Sequence, residues 1–169
     1  MSKTSSALAT AFPQCPAPAS LKQSTNGRRW TAAHRRLALS RPQPRILLAD
    51  ADLLSRRRTS RALRSRGYDV LEQCSGPKLL HFLGTQLLRA SGRPSFDAMI
   101  LDARMPGADG LTVLVTTQRV GWTIPIILAS TPGDAPVHTR APGLGAFAVL
   151  NKPLHAEEII EHLALAEFA

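Results

Sequence analysis

The sequence predicts an α/β fold, a doubly wound sheet of five parallel strands with helices on both faces and a disordered arm in front of it. Two observations carry this. From Arg45 onward, short apolar runs alternate with longer segments bounded by Gly and Pro, the rhythm of repeated strand and helix units. Runs such as Ile46-Leu47-Leu48 and Ile126-Ile127-Leu128 are apolar at every position, so neither face of those strands can be turned to water. Parallel strands covered by helices on each side have that pattern.

Each element has its own signal. The strands are placed at 45–49, 68–72, 96–101, 124–129 and 146–150, and helices are expected near 53–65, 77–89, 111–120 and 156–168. Gly67 stands where the first helix should end in a left-handed cap. Before the last helix, Pro153 closes the fifth strand and His155 takes the N-cap position. Glu157 and Glu158 then favour the positive helix end, and Ile159, Ile160 and Leu163 form an inward stripe. The segment 134–144 contains Pro136, Pro142 and Gly143. An interior proline costs a helix about 3 kcal/mol, so a short, frayed or displaced helix is expected there.

Composition bounds the rest. A chain of 169 residues that is 44% apolar can bury one ordinary core and carry one extra segment, but not two large domains. The formal charge of +9 would by itself point to a polyanion-binding protein. Its distribution says otherwise. Residues 1–44 hold Lys3, Lys22, Arg28, Arg29, Arg35, Arg36 and Arg41 and no acid, which accounts for +7, while the remaining fourteen cations against twelve acids leave only +2. The division expected is a basic, Pro-rich, disordered arm over 1–44, with a short helix near 30–39, and a folded domain over 45–169. The arm's cations, with Trp30 among them, could contact nucleic-acid phosphates and stack one base. A soluble tail is the plainer reading, and a transit peptide or an over-extended gene start would share the composition. Cys15 and Cys74 are too few and too isolated for a disulfide scaffold, no Cys or His has zinc-site spacing, and the five His are dispersed. A reducing, cytoplasmic setting is expected. No apolar run approaches the roughly 20 residues of a membrane-spanning helix, so no membrane partner is expected.

In an open parallel sheet, ligands bind beyond the carboxyl ends of the strands. Strand one ends in Asp50, Ala51 and Asp52, strand three in Asp102, strand four in Ser130 and Thr131, and strand five in Asn151 and Lys152. That set suits phosphoryl transfer to a carboxylate. Magnesium is usually held by one or two carboxylates plus phosphate oxygens, and a further carboxylate can attack phosphorus. A hydroxyl and an ammonium can donate to the phosphoryl oxygens as their charge spreads.

Residues 45–52, 96–110, 124–131 and 145–154 resemble successive motifs of the receiver domain of two-component response regulators, a resemblance that spans essentially 45–169. Its most specific part is the run from Leu101-Asp102 through Met105-Pro106-Gly107 to Asp109-Gly110, with Lys152-Pro153 after a later strand. The resemblance implies a flavodoxin-like receiver with strand order 2-1-3-4-5. It implies that Asp102 is the phosphoacceptor, Asp50 a magnesium-site acid, and Arg104 the residue whose backbone carbonyl completes the metal site. Ser130 matches the switch hydroxyl, Lys152 the phosphate-contacting lysine, and a cis peptide is implied before Pro153. A histidine kinase or phosphotransfer protein would donate the phosphoryl group, and the aspartyl phosphate would alter contacts with an output protein. Because the chain ends with the fifth helix, it is read as a stand-alone receiver. It is not read as an enzyme beyond self-phosphorylation and self-dephosphorylation.

The pattern is broken in three places. The second of two adjacent acids after strand one is replaced by Ala51, which would weaken Mg2+ binding. Asp52 either compensates, since positions 50 and 52 point the same way along an extended chain, or caps the first helix, the preferred reading. The aromatic expected three residues before the lysine is Val149, and Phe147 is read as a core residue instead. With the proline-broken fourth helix, these departures support an alternative: a phosphorylation-independent pseudo-receiver that only binds partners. Arg56, Arg57, Arg58, Arg61, Arg64 and Arg66 load the first helix with charge and read as a solvated face.

Overall fold

The computed structural model describes residues 43–89 and 94–166. The expected arm lies almost wholly outside the described residues. Five strands form one parallel sheet in the order β2-β1-β3-β4-β5: β1 (Arg45–Ala49), β2 (Asp69–Gln73), β3 (Ala98–Asp102), β4 (Ile126–Ser130) and β5 (Ala148–Asn151). The helices are α1 (Leu53–Ser65), α2 (Gly76–Leu87), α3 (Gly110–Arg119), α4 (Ala135–Arg140) and α5 (Ala156–Leu165). The expected fold class and strand order are both found.

The sheet divides the apolar residues by strand parity. Leu47, Met99, Leu101, Ile126 and Leu128 face one side, where Leu79 and Leu83 of α2, Leu111 and Leu114 of α3 and Val137 of α4 cover them. Ile46, Leu48, Ile100 and Ile127 face the other side, under Leu63 of α1 and Ile159 and Leu163 of α5. This is why the central strands read as unbroken apolar runs. The edge strands carry fewer buried residues, because one long side of each pairs with nothing in the sheet.

Helix ends follow local chemistry. The Gly67 N–H donates to the Arg64 carbonyl and the Tyr68 N–H to the Leu63 carbonyl, a Schellman motif with Gly67 at φ +92°. Leu63 and Tyr68 are buried in the same cluster, so the cap also has its apolar contact. α4 runs for six residues with Pro136 in its first turn, then tightens into a 3-10 turn at Pro142–Leu144. The prolines thus shorten the helix as expected.

Two expectations need correction. Arg56 is buried at 3% exposure rather than solvated, because it shares a face of α1 with Thr59, Ser60 and Leu63. Phe147 is half-buried and lies in neither core cluster; Val149 packs against the first cluster instead. No described helix is long and apolar enough to cross a membrane.

Candidate functional site

The carboxyl ends of β1, β3 and β5 bring three charged side chains together. Asp50 follows β1 and is 2% exposed, Asp102 is the last residue of β3, and Lys152 follows β5. The Lys152 Nζ lies 2.9 Å from Asp102 Oδ2 and 3.1 Å from Asp50 Oδ2, so one ammonium bridges both carboxylates. Burial of this ammonium works to lower its pKa, but the Asp102 hydrogen bond and the charges of Asp50 and Asp102 outweigh it. The Lys152 pKa therefore stands above its ordinary 10.5. The Lys152-Pro153 peptide is cis, and the Lys152 N–H donates to the Ser130 carbonyl at 2.8 Å, which ties the lysine's backbone to the end of β4.

Asp50 is held by more donors than its sequence position reveals. Its Oδ1 accepts the Asp52 N–H at 2.9 Å, and its Oδ2 accepts the Ser55 hydroxyl at 2.7 Å as well as Lys152. The Arg56 guanidinium donates to the Asp50 backbone carbonyl at 2.8 Å, while its Nε lies 3.3 Å from Glu72 without hydrogen-bond geometry. Ser55 is a site residue that sequence reasoning missed. Its signal was its place in the first turn of α1, five residues after Asp50. Asp52 is exposed, and its Oδ1 accepts the Ser55 N–H at 2.6 Å as the N-cap of α1. The cap reading therefore describes its observed contact.

Around Asp102 the backbone is close-packed. The Arg104 N–H donates to Asp102 Oδ1 at 3.0 Å, and the Ala103 N–H to the Ala129 carbonyl at 2.8 Å. Residues Arg104–Met105 and Ala108–Asp109 form a two-residue antiparallel ribbon. A Cβ on Gly110 would stand 2.8 Å from the Ala103 Cα and 2.9 Å from the Asp102 carbonyl oxygen, so α3 can start this near the acceptor loop only with glycine. Asp109 caps α3 through the Leu111 N–H and the Thr112 hydroxyl.

Asp102 pairs in register with Ala129, so Ser130 stands one position beyond it on β4. Ser130 is buried at 2% exposure, and its hydroxyl lies 3.5 Å from the Thr131 carbonyl. The Arg104 side chain reaches the other way from its backbone. Its Nε and Nη2 meet Asp134 at 2.5 and 2.9 Å, a bidentate pair between the loops after β3 and β4. The Arg104 hydrogen bond holds the Asp134 carboxyl below its ordinary 3.8. Thirty residues separate the partners, and no local sequence signal joins them.

Among the described residues no group of three or more His, Cys, Asp or Glu could hold a metal ion. Asp50 and Asp102 nonetheless converge on a single cation, as their shared ammonium demonstrates, and they offer only hard oxygens. That donor set fits magnesium, which needs one or two carboxylates when phosphate and water complete its shell. Ala51 adds no donor to it.

The response regulator receiver domain family matches residues 46–164. The chain is similar to the transcriptional activator protein PfeR of Pseudomonas aeruginosa, with 31% identity over 88% of this chain and 44% of PfeR. It is 36% identical to the response regulator MprA of Mycobacterium avium, over 70% of this chain and 49% of MprA. It thus spans about half the length of the curated relatives it matches. Among solved structures, a response regulator receiver protein from Burkholderia phymatum superposes with a TM-score of 0.61 at 31% identity, covering 75% of this chain and 96% of that one. Full-length FixJ from B. japonicum gives a TM-score of 0.63 at 27% identity over 73% and 57% of the two chains.

Proposed function

From the premise that the chain belongs to the response regulator receiver domain family, we propose that it accepts a phosphoryl group on Asp102 and signals through contacts with an output protein. The donor is the phosphohistidine of a histidine kinase or phosphotransfer protein. An Asp102 carboxylate oxygen forms the new bond to phosphorus as the phosphorus–nitrogen bond breaks, and the imidazole leaves with the electron pair. The observation that carries this reading is the single ammonium of Lys152 held by both Asp50 and Asp102 at the sheet's rim.

Each residue has a stated part. Lys152 screens the two carboxylates from one another and can follow the developing charge on the phosphoryl oxygens. Ser130, one position beyond Asp102 on the neighbouring strand, can donate its hydroxyl to one of those oxygens. Asp50, Asp102 and the Arg104 carbonyl would hold Mg2+, which when bound supplies charge neutralisation and a template for the phosphoryl oxygens. The chain acts as a cytoplasmic phosphoacceptor, with no small-molecule turnover beyond adding and losing its own phosphoryl group. A basic arm that tethers nucleic acid would be an addition to this role, tested by comparing polyanion binding with and without residues 1–43.

A second reading is a pseudo-receiver that binds partners without phosphorylation. Ala51 removes one metal ligand, Val149 removes the switch aromatic, and Ser55 fills an acceptor site on Asp50. Incubation with acetyl phosphate and magnesium separates the two readings. An acid-stable, base-labile phosphoprotein by intact mass, absent in Asp102→Asn, supports the first. No adduct from acetyl phosphate or from a panel of histidine kinases supports the second.

A further inference from the structure

The Arg104–Asp134 pair is built as a junction between two loops. Arg104 is fixed to the acceptor by its own N–H on Asp102 Oδ1, while its side chain is 68% exposed. Asp134 is the opposite, with a side chain only 2% exposed. It occupies the N-cap position of α4, where an aspartate ordinarily accepts a backbone N–H of the first turn. Here its carboxylate makes no hydrogen bond of cap geometry; it is turned to the guanidinium, with the Val137 N–H and the Ser130 hydroxyl near enough to help lower its pKa. The cap of a six-residue helix has been exchanged for a link to the residue two positions beyond Asp102.

A phosphoryl group on Asp102 changes the competition for that guanidinium. It brings close to two negative charges and three strong acceptor oxygens to the residue two positions before a fork that had faced one carboxylate. Planar, bidentate donation to phosphate is what arginine does best. We propose that the Arg104 side chain is a second phosphoryl-contacting cation, held by Asp134 before phosphorylation and drawn to the phosphoryl group afterwards. This rests on the reading of Asp102 as phosphoacceptor. Once released, Asp134 can accept the first-turn N–H groups of α4, so the event at Asp102 reaches α4 without an aromatic at position 149.

The test follows adduct formation on the full chain with acetyl phosphate and magnesium, by intact mass over time. Four proteins are compared: wild type, Arg104→Ala, Asp134→Asn and the double variant. Acetate is the leaving group, departing with the electrons of its bond to phosphorus as the Asp102 oxygen takes its place. Asp134→Asn frees the guanidinium and should speed formation about fivefold or more, the lower end of ordinary coupling between sites. Arg104→Ala should slow it by a similar factor, and the double variant should match Arg104→Ala, as required if Asp134 acts on the acceptor through Arg104 and not through the Ser130 hydroxyl, which also interacts with its carboxylate. If Arg104→Ala does not fold, Arg104→Lys, which keeps the charge and loses the fork, should fall between wild type and the slow limit. Equal rates in all proteins, or an Asp134→Asn effect that persists without Arg104, overturns the proposal while leaving the acceptor role intact. No adduct in any of them removes the acceptor role and this proposal together.

Discussion

On the β1–β3 side of the rim, both oxygens of Asp50 accept hydrogen bonds and the Lys152 ammonium closes the gap to Asp102. On the β4 side, Ser130 has a 3.5 Å contact with a neighbouring carbonyl, α4 is six residues long, and Arg104 takes the carboxylate that would cap it. The first side is arranged around fixed charges, the second around groups that can be reassigned. A phosphoacceptor needs both properties. Its acid must be positioned before the donor arrives, and something nearby must change partner when charge is added.

The comparison can be broken most severely at Lys152. Lys152→Met leaves Asp50 and Asp102 facing each other without their shared cation. We expect a loss of about 2 kcal/mol in urea unfolding at neutral pH, below the usual cost of breaking a fully buried pair because the lysine side chain is 20% exposed. The pH dependence has a definite sign. The Lys152 pKa is raised above 10.5, so its contribution is full below 10.5 and disappears as pH rises through the folded value. Unfolding midpoints of wild type and Lys152→Met should therefore converge in strong alkali. For Asp134 the sign is reversed: its pKa is lowered below 3.8, so its contribution is present above 3.8 and is lost as pH falls through the folded value. The difference between wild type and Asp134→Asn should close on the acid side.

Two smaller changes sharpen the account of the first side. Ala51→Asp should tighten magnesium binding about tenfold in calorimetric titration, a change of the size that ligand-shell substitutions produce. An unchanged titration would mean that position 51 does not face the metal. Asp52→Ala should lower stability by about 1 kcal/mol through the lost N-cap and leave magnesium affinity unchanged. A matching loss of affinity would show that Asp52 serves the metal as well. Gly67→Ala, far from the rim, should cost about 1 kcal/mol because the cap needs φ +92°.

How far the sequence revealed these two sides differs for a physical reason. β1 and α1 lie where their apolar periods place them, and the other strands begin one or two residues later than expected. Tyr68 and Phe96 are buried just before their strands, and burial looks the same in sequence whether or not a residue is in the ladder. The gathering of Asp50, Asp102 and Lys152 follows from strand ends in a parallel sheet, so it was readable once the strands were placed. Arg104–Asp134 was not, because a contact between two loops thirty residues apart leaves no periodic trace. Arg56 is buried against expectation because it stands two helical turns before Leu63 on the same face, a spacing that the run of arginines in α1 masks.

The most direct test of the account is to locate the modified residue after acetyl phosphate treatment. Borohydride reduces an aspartyl phosphate to homoserine, which peptide mass mapping then places. Homoserine at position 102 alone, with Asp50 and Asp134 unaltered, is the result expected. Conversion elsewhere, or none at 102 while a phosphoprotein is present, would contradict the assignment of Asp102 and with it the division of the rim described above.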